Sequence, residues 1–248
     1  MRVHPVLLLI GWIPAMALAQ PDPHHHHHPA APSGQPPAAA PAPASPAPLP
    51  LGVGAAPQPS HSHAHDLGPA GATYDLRWLD AMVEHHTGAL RMAEFVFDVG
   101  APGVGALARS IWSDQAAEIR AMTQWRRAWY PQAPVHPVVL RAGGDPDAMA
   151  DLVRMSPEQI AAMRMMGDTP SRSTRVHWFL ERMLHHHGAA LEMAHDALRH
   201  SRNPSVRRLA RQIITNQRRE IWELRRMLIR DGFDKPEYHR YDPLFVLW

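Results

Sequence analysis

The chain has 248 residues, enough for one good-sized domain plus extensions, and hydrophobic residues make up 45% of it, so its ordered part can bury a core. It has no cysteine, which excludes disulfides and thiolate metal sites and leaves methionine and histidine as donors for a soft metal ion. The formal net charge is only +2, and no basic run is interleaved with aromatic residues, so we expect no nucleic-acid binding.

The first 19 residues have the pattern of a signal peptide. Arg2 supplies a positive charge, residues 5–18 are mostly apolar, and residues 17–19 form an A-x-A cleavage site. The apolar run is shorter than the roughly 20 residues that a membrane-spanning helix needs. We therefore expect residues 1–19 to be removed, no stable membrane insertion afterwards, and a periplasmic or secreted protein.

Residues 20–72 are rich in proline and alanine, a composition that predicts a disordered linker. Two histidine clusters interrupt it, and such tracts bind divalent metals weakly. The weak tail sites are His24, His25, His26, His27, His28, His61, His63 and His65.

Helical periodicity begins near residue 73 and continues to Gly232, and strand-type alternation is absent. We expect long helices over 74–99, 102–129, 172–201 and 203–232, with Asn203 capping the last. Residues 131–154 are loop-like, and Ser156 and Gln159 form a capping box that starts a short helix. The prediction is an all-α domain over residues 73–232, followed by a C-terminal tail over 233–248.

The second long helix pair repeats the first. "AMVEHHTGALRMA" at 81–93 and "RMLHHHGAALEMA" at 182–194 share methionines and a histidine pair at an offset of 101 residues. A helix hairpin written twice predicts a four-helix bundle made of two repeated hairpins. The candidate metal ligands are Met82, His85, His86, Met92, Met183, His186, His187 and Met193.

At about 100° per residue, His85 and His86 project on either side of Met82, so either imidazole can share an ion with that thioether. Met92 projects on nearly the same side as His85, but about 10 Å further along the helix axis. The other two long helices carry further side chains that we expect to face the histidines, either as extra ligands or as groups that orient the rings. These candidates, with the first histidine of the second run, are Gln115, Glu118, Met122, Gln217, Glu220 and His185.

Thioether and imidazole donors without thiolate suit Cu(I), with Ag(I) or Cu(II) as alternatives. A di-iron bundle would carry Glu-x-x-His on two helices, but Asp80 and Glu181 have Val83 and Leu184 three residues on. No catalytic constellation is evident. Two other readings stay open: a metal-dependent oxidase of ferritin-like type, and an envelope interaction module without a metal.

The two Met-x-x-His-His motifs, each followed by a Leu-Ala-Arg…Ile…Gln…Glu-Ile helix, resemble the exported bacterial family called domain of unknown function 305, over about residues 73–230. The resemblance implies a ferritin-like four-helix bundle and, for some members, periplasmic copper binding and copper resistance. The chain departs from the family pattern in its second half. Asp75 is of a type that the family often has before its first motif, but the corresponding residue in the second half is Val176.

From these patterns we expect an exported, His-rich copper-binding protein that buffers Cu(I) and contributes to copper homeostasis, with metal ions as its partners. The aromatic and apolar segment 233–248 docks either on the bundle or on a second copy of the chain, and the sequence leaves this choice, and thus a homodimer, open.

Overall fold

The computed structural model describes residues 65–100 and 103–247. Five α-helices and one two-stranded sheet make up most of this part. The elements in chain order are α1 (Tyr74–Glu94), α2 (Val104–Trp129), β1 (Val138–Leu140), β2 (Leu152–Arg154), α3 (Pro157–Arg164), α4 (Arg175–His200) and α5 (Pro204–Arg230). The protein is therefore mostly helical, as the periodicity predicts. None of the helices in the described ranges is both long and apolar enough to cross a membrane.

The long helices pack as two hairpins, α1 with α2 and α4 with α5, and the hairpins meet where α1 packs on α4. Small residues on α1 and α4 let neighbouring elements approach closely. A Cβ at Gly88 would collide with the Arg164 carbonyl at the end of α3, so α3 lies directly on α1. The indole Nε1–H of Trp78 on α1 donates to the backbone carbonyl of Met193 on α4 at 3.0 Å. The first contact joins α1 to α3, and the second joins the two histidine-bearing helices, α1 and α4.

The first helix is shorter than its sequence predicts. It ends at Glu94, not Val99, and tight turns follow over residues 95–98. Carbonyls past the helix end accept hydrogen bonds from other elements: Arg175 donates to Phe95 at 3.0 Å, and Arg109 donates to Phe97. Side-chain donors thus replace the backbone bonds of a continuing helix.

The expectation of a plain loop over 131–154 is wrong. β1 and β2 form an antiparallel pair in which Val139 is opposite Val153. The buried carboxylate of Asp80 organises this region, because it accepts from the Val138 amide at 2.9 Å and pairs with Arg126. Arg126 in turn donates to two carbonyls of the approach to β1. Asp80 and its ion pair with Arg126 therefore hold the hairpin of β1 and β2 in place. No alternation of apolar and polar residues in the sequence predicts this hairpin.

Both predicted helix caps are present. Ser156 accepts from the Gln159 amide while the Gln159 side chain accepts from the Ser156 amide, which completes the capping box of α3. Asn203 caps α5, accepting from the Ser205 amide at 2.9 Å. Local side-chain chemistry sets these two helix starts, so a sequence can predict them.

The C-terminal segment docks on the helices of its own chain. It forms 3₁₀ helices over Pro236–His239 and Asp242–Phe245 against α4 and α5. The fully buried ring of Tyr241 lies where a Cβ on Gly188 would be, and Asp242 forms a two-point ion pair with Arg225. Residues 233–247 therefore pack on α4 and α5 of their own chain.

Candidate metal centre

All eight predicted Met and His ligands are buried. The four histidines and three of the four methionines have no exposed surface, and Met193 is 1% exposed. They project from α1 and α4 into the core where the two hairpins meet. The helical stripe predicted from spacing therefore faces inward on both helices.

One histidine from each repeat meets the other at the contact between α1 and α4. The ring centroids of His85 and His186 are 3.7 Å apart with the planes tilted by 36°. The Nε2–H of His186 donates to the backbone carbonyl of His85 at 2.8 Å, which leaves His186 Nδ1 with a lone pair. Both ring nitrogens of His85 lack a hydrogen-bond partner. An imidazole pair of this kind presents nitrogen lone pairs inside the core.

Burial keeps these two imidazoles neutral. It is the main reason why the pKa of His85 lies well below the ordinary histidine value, and the neighbouring His186 lowers it further. The pKa of His186 is likewise well below its ordinary value, again because of burial first and then because of His187. Neutral imidazole is the form that binds metal ions.

The second histidine of each pair faces a carboxylate on the other helix of its hairpin. His86 Nε2–H donates to Glu118 Oε2 at 2.7 Å. His187 Nε2 lies at the same 2.7 Å from Glu220 Oε2, although the direction of this contact is not that of a hydrogen bond. In both rings Nδ1 has no hydrogen-bond partner. A carboxylate on one ring nitrogen orients the ring and makes the other nitrogen a better metal donor.

The remaining predicted helix positions divide by environment. Gln115 and Gln217 are both 2% exposed, and neither side-chain amide has a hydrogen-bond partner. Met122 is fully buried. His185 instead faces the C-terminal segment, where its Nδ1 is 3.5 Å from the hydroxyl of Tyr241. The structure therefore separates His185 from the histidine pairs of the core.

The tail histidines fall into two groups. His24–His28, His61 and His63 lie outside the described residues. His65 lies inside them, and its ring contacts His85 edge-to-face with centroids 5.5 Å apart. Sequence spacing gave no signal for this contact, because it depends on how the chain approaches α1. Residues 65–72, predicted as linker, are thus part of the described structure, and Leu67 is buried.

A cleft of about 280 Å³ runs between α2 and α5 and reaches one of the two carboxylates. Asp114 and Glu118 line it from α2, and Arg208 and Gln212 line it from α5. Burial is the main reason why the pKa of Asp114 is raised, and Glu220 and Glu118 raise it further. Asp114 therefore lies near both carboxylates that face the histidines, and the sequence patterns did not single it out.

Within residues 65–100 and 103–247, no three His, Asp or Glu side chains are grouped so that they could hold one metal ion. Thioether sulfur is the other soft donor in the core, and the buried methionines lie on the same helix stripes as the histidines. The soft donors that this core contains are thioether sulfur and imidazole nitrogen.

Residues 75–228 match the family described as domain of unknown function DUF305. The chain belongs to the DUF305 family. The match spans both hairpins, from the start of α1 to the end of α5, and so confirms the resemblance carried by the repeated motifs.

No curated protein matches this DUF305 chain, but solved structures do. The Cu(I)-bound form of CopM is 25% identical, with 63% of this chain and 96% of CopM covered and a TM-score of 0.45. Silver-bound CopM gives the same identity, coverage and score. A DUF305 fragment from Deinococcus radiodurans is 27% identical, with 66% of this chain and 99% of the fragment covered and a TM-score of 0.46. All three TM-scores are below 0.5.

Proposed function

We propose that this DUF305 protein is an exported copper-binding protein that holds Cu(I) between α1 and α4 and lowers the free copper concentration around it. Ag(I), which has the same charge and similar softness, is the expected surrogate ion. The proposed ligands are the buried methionines and histidines of the two repeats. The proposed activity is binding and buffering, without catalytic turnover.

The observation that carries the proposal is a set of buried imidazole nitrogens without hydrogen-bond partners. Buried polar atoms nearly always have such a partner, so each exception needs an explanation. Here both nitrogens of His85 and the Nδ1 atoms of His86, His186 and His187 are exceptions. A metal ion would satisfy one nitrogen of each ring that it binds, since a neutral imidazole binds a metal through the lone pair of its unprotonated nitrogen.

The donor chemistry selects the ion. Thioether sulfur is a soft ligand that favours Cu(I) over hard cations such as Mg²⁺ or Ca²⁺. Met82 precedes His85 and His86 by three and four residues, and Met183 precedes His186 and His187 in the same way, so each thioether shares a helix face with its histidine pair. All of these side chains are in the core. A dry site of sulfur and neutral nitrogen donors favours a monovalent ion over a doubly charged one.

Two finer features belong to the same proposal. We propose that α1, α2, α4 and α5 form a four-helix bundle of ferritin-like type, supported by the pairing of α1 with α2, α4 with α5 and α1 with α4. We also propose that residues 1–19 direct export and that the histidines of residues 20–64 collect copper outside the cytoplasm. The charge and apolar pattern of the first 19 residues supports the export step.

A competition titration against a Cu(I) chelator tests the proposal. Met82→Leu combined with Met183→Leu removes two thioethers while keeping side-chain volume, so the fold should persist. We expect this variant to lose tight Cu(I) binding. Met149→Leu is the matched control, because Met149 is 42% exposed and lies outside the long helices. Equal Cu(I) stoichiometry and affinity in the double variant and the control would contradict the proposed site.

A further inference from the structure

The last histidine of the tail occupies a position between solvent and the core. His65 is partly buried, whereas His85, which its ring contacts, has no exposed surface. The partner of His85 across the helix contact, His186, is equally buried. An ion that reaches this imidazole pair from water therefore passes through the surrounding side chains, and the imidazole of His65 lies on that boundary.

The position of His65 is fixed by the segment that follows it. The guanidinium of Arg77, which is only 1% exposed, donates to the Leu67 carbonyl and, at 2.8 Å, to the Pro69 carbonyl. Asp66 Oδ1 accepts from the Gly68 amide at 2.8 Å, and Gly68 has the left-handed φ of 74° that favours glycine. These contacts hold residues 66–69 against the first turns of α1, which places the preceding histidine on His85.

We propose that His65 is the access ligand of the core: it binds an incoming Cu(I) ion at the surface and passes it to His85. This inference rests on the proposed copper-binding function and adds a route to it. In the transfer, a dative bond from His65 to the ion forms as a water or chelator ligand leaves. A bond from a His85 nitrogen then forms as the His65 bond breaks. The ion stays Cu(I) throughout, so no oxidant or reductant is needed.

The placement supports a transfer role over a permanent third ligand. The His65 and His85 rings meet edge-to-face, with 72° between their planes. In the described ranges no three His, Asp or Glu side chains are grouped to hold one ion, so His65, His85 and His186 do not form such a group. His65 is therefore suited to hold the ion before the core does, so its loss should change the rate of loading more than the final amount.

The test measures how fast the full-length mature protein takes Cu(I) from a coloured chelator complex in a stopped-flow instrument. His65→Phe keeps an aromatic ring against His85 but removes the donor nitrogens. We expect loading to slow by about tenfold, the factor that a barrier increase of about 1.4 kcal/mol produces. His65→Met keeps a soft donor and should restore most of the rate. His136→Phe changes another partly buried histidine, which lies before β1, and should load like the wild type.

The His65 variants should give opposite results depending on whether the ring only packs against His85 or binds the ion. If the His65 ring only packs, phenylalanine will restore the wild-type rate and methionine will not, which would overturn the inference. A normal rate in His65→Phe together with slow loading in Asp114→Asn would also overturn it, because the ion would then enter through the cleft between α2 and α5. The final amount of Cu(I) taken up distinguishes the proposed copper-binding function from the proposed route through His65. If wild type removes no Cu(I) from the chelator, the proposed function itself fails; if it loads fully and only the rate prediction fails, the function stands without this route.

Discussion

Removing the carboxylate of Glu118 should weaken copper binding through His86. Glu118 is 6% exposed and His86 is fully buried, so their 2.7 Å hydrogen bond is shielded from water. Losing a partner that orients a metal-binding histidine costs about 10- to 100-fold in metal affinity. We therefore expect Glu118→Ala to weaken Cu(I) binding by this factor. Glu118→Gln keeps an acceptor oxygen without its charge and should fall between the wild type and the alanine variant.

Chelator competition gives the Cu(I) affinities, and urea unfolding of the copper-free proteins gives their stabilities. The alanine variant also leaves a buried N–H without an acceptor, which should lower the free energy of unfolding by about 1–3 kcal/mol. Glu223→Ala is the control, because the Glu223 side chain is 49% exposed on α5. A Glu118→Ala protein that loses stability but binds Cu(I) with wild-type affinity would refute the orienting role.

Three further predictions concern the fold that holds the site. Gly88→Ala pushes a methyl group into the Arg164 carbonyl and should lower the thermal unfolding temperature, at a cost of about 1–3 kcal/mol. Asp80→Ala breaks a buried ion pair and should cost about 3–5 kcal/mol in urea unfolding. Burial opposes ionisation of Asp242, but Arg225 outweighs it and the net pKa is lowered. Asp242 thus stabilises the fold above the ordinary aspartate pKa, so the stability lost in Asp242→Asn at neutral pH should vanish as pH falls through the lowered pKa.

The first two of these predictions have a control in the same chain. Gly100→Ala introduces a methyl group with nothing within 4 Å and should be tolerated. Glu94→Ala breaks an exposed ion pair with Arg91 and should cost less than about 1 kcal/mol. Equal effects of buried and exposed substitutions would contradict the packing described here. For Asp242→Asn, a stability difference that grows in acid would show that the sign of the pKa shift is wrong.

The sequence predicts the helical framework well because local chemistry sets it. The capping box at Ser156 and the Asn203 cap depend on neighbours within three residues, and both are present. The hairpin of β1 and β2 depends on Asp80, which is 58 residues before Val138, so no local pattern announces it. The early end of α1 likewise depends on a distant donor, Arg175.

In the candidate site too, the sequence predicts what depends on local spacing and not what depends on distant contacts. Helical spacing alone predicts that the Met and His side chains share one face, and they are buried as that face requires. The sequence also predicts that Glu118 and Glu220 face the histidines, and both carboxylates lie 2.7 Å from a ring nitrogen. The contact of His65 with His85 could not be predicted from the sequence, because it depends on buried Arg77, which fixes the chain before α1.

X-ray absorption at the copper K-edge, on protein loaded with one equivalent of Cu(I), tests the central claim most directly. The account predicts sulfur and nitrogen bonded directly to the copper, with the sulfur signal lost in the Met82→Leu, Met183→Leu double variant. Copper bonded to nitrogen and oxygen alone, with the same spectrum in both proteins, would contradict it.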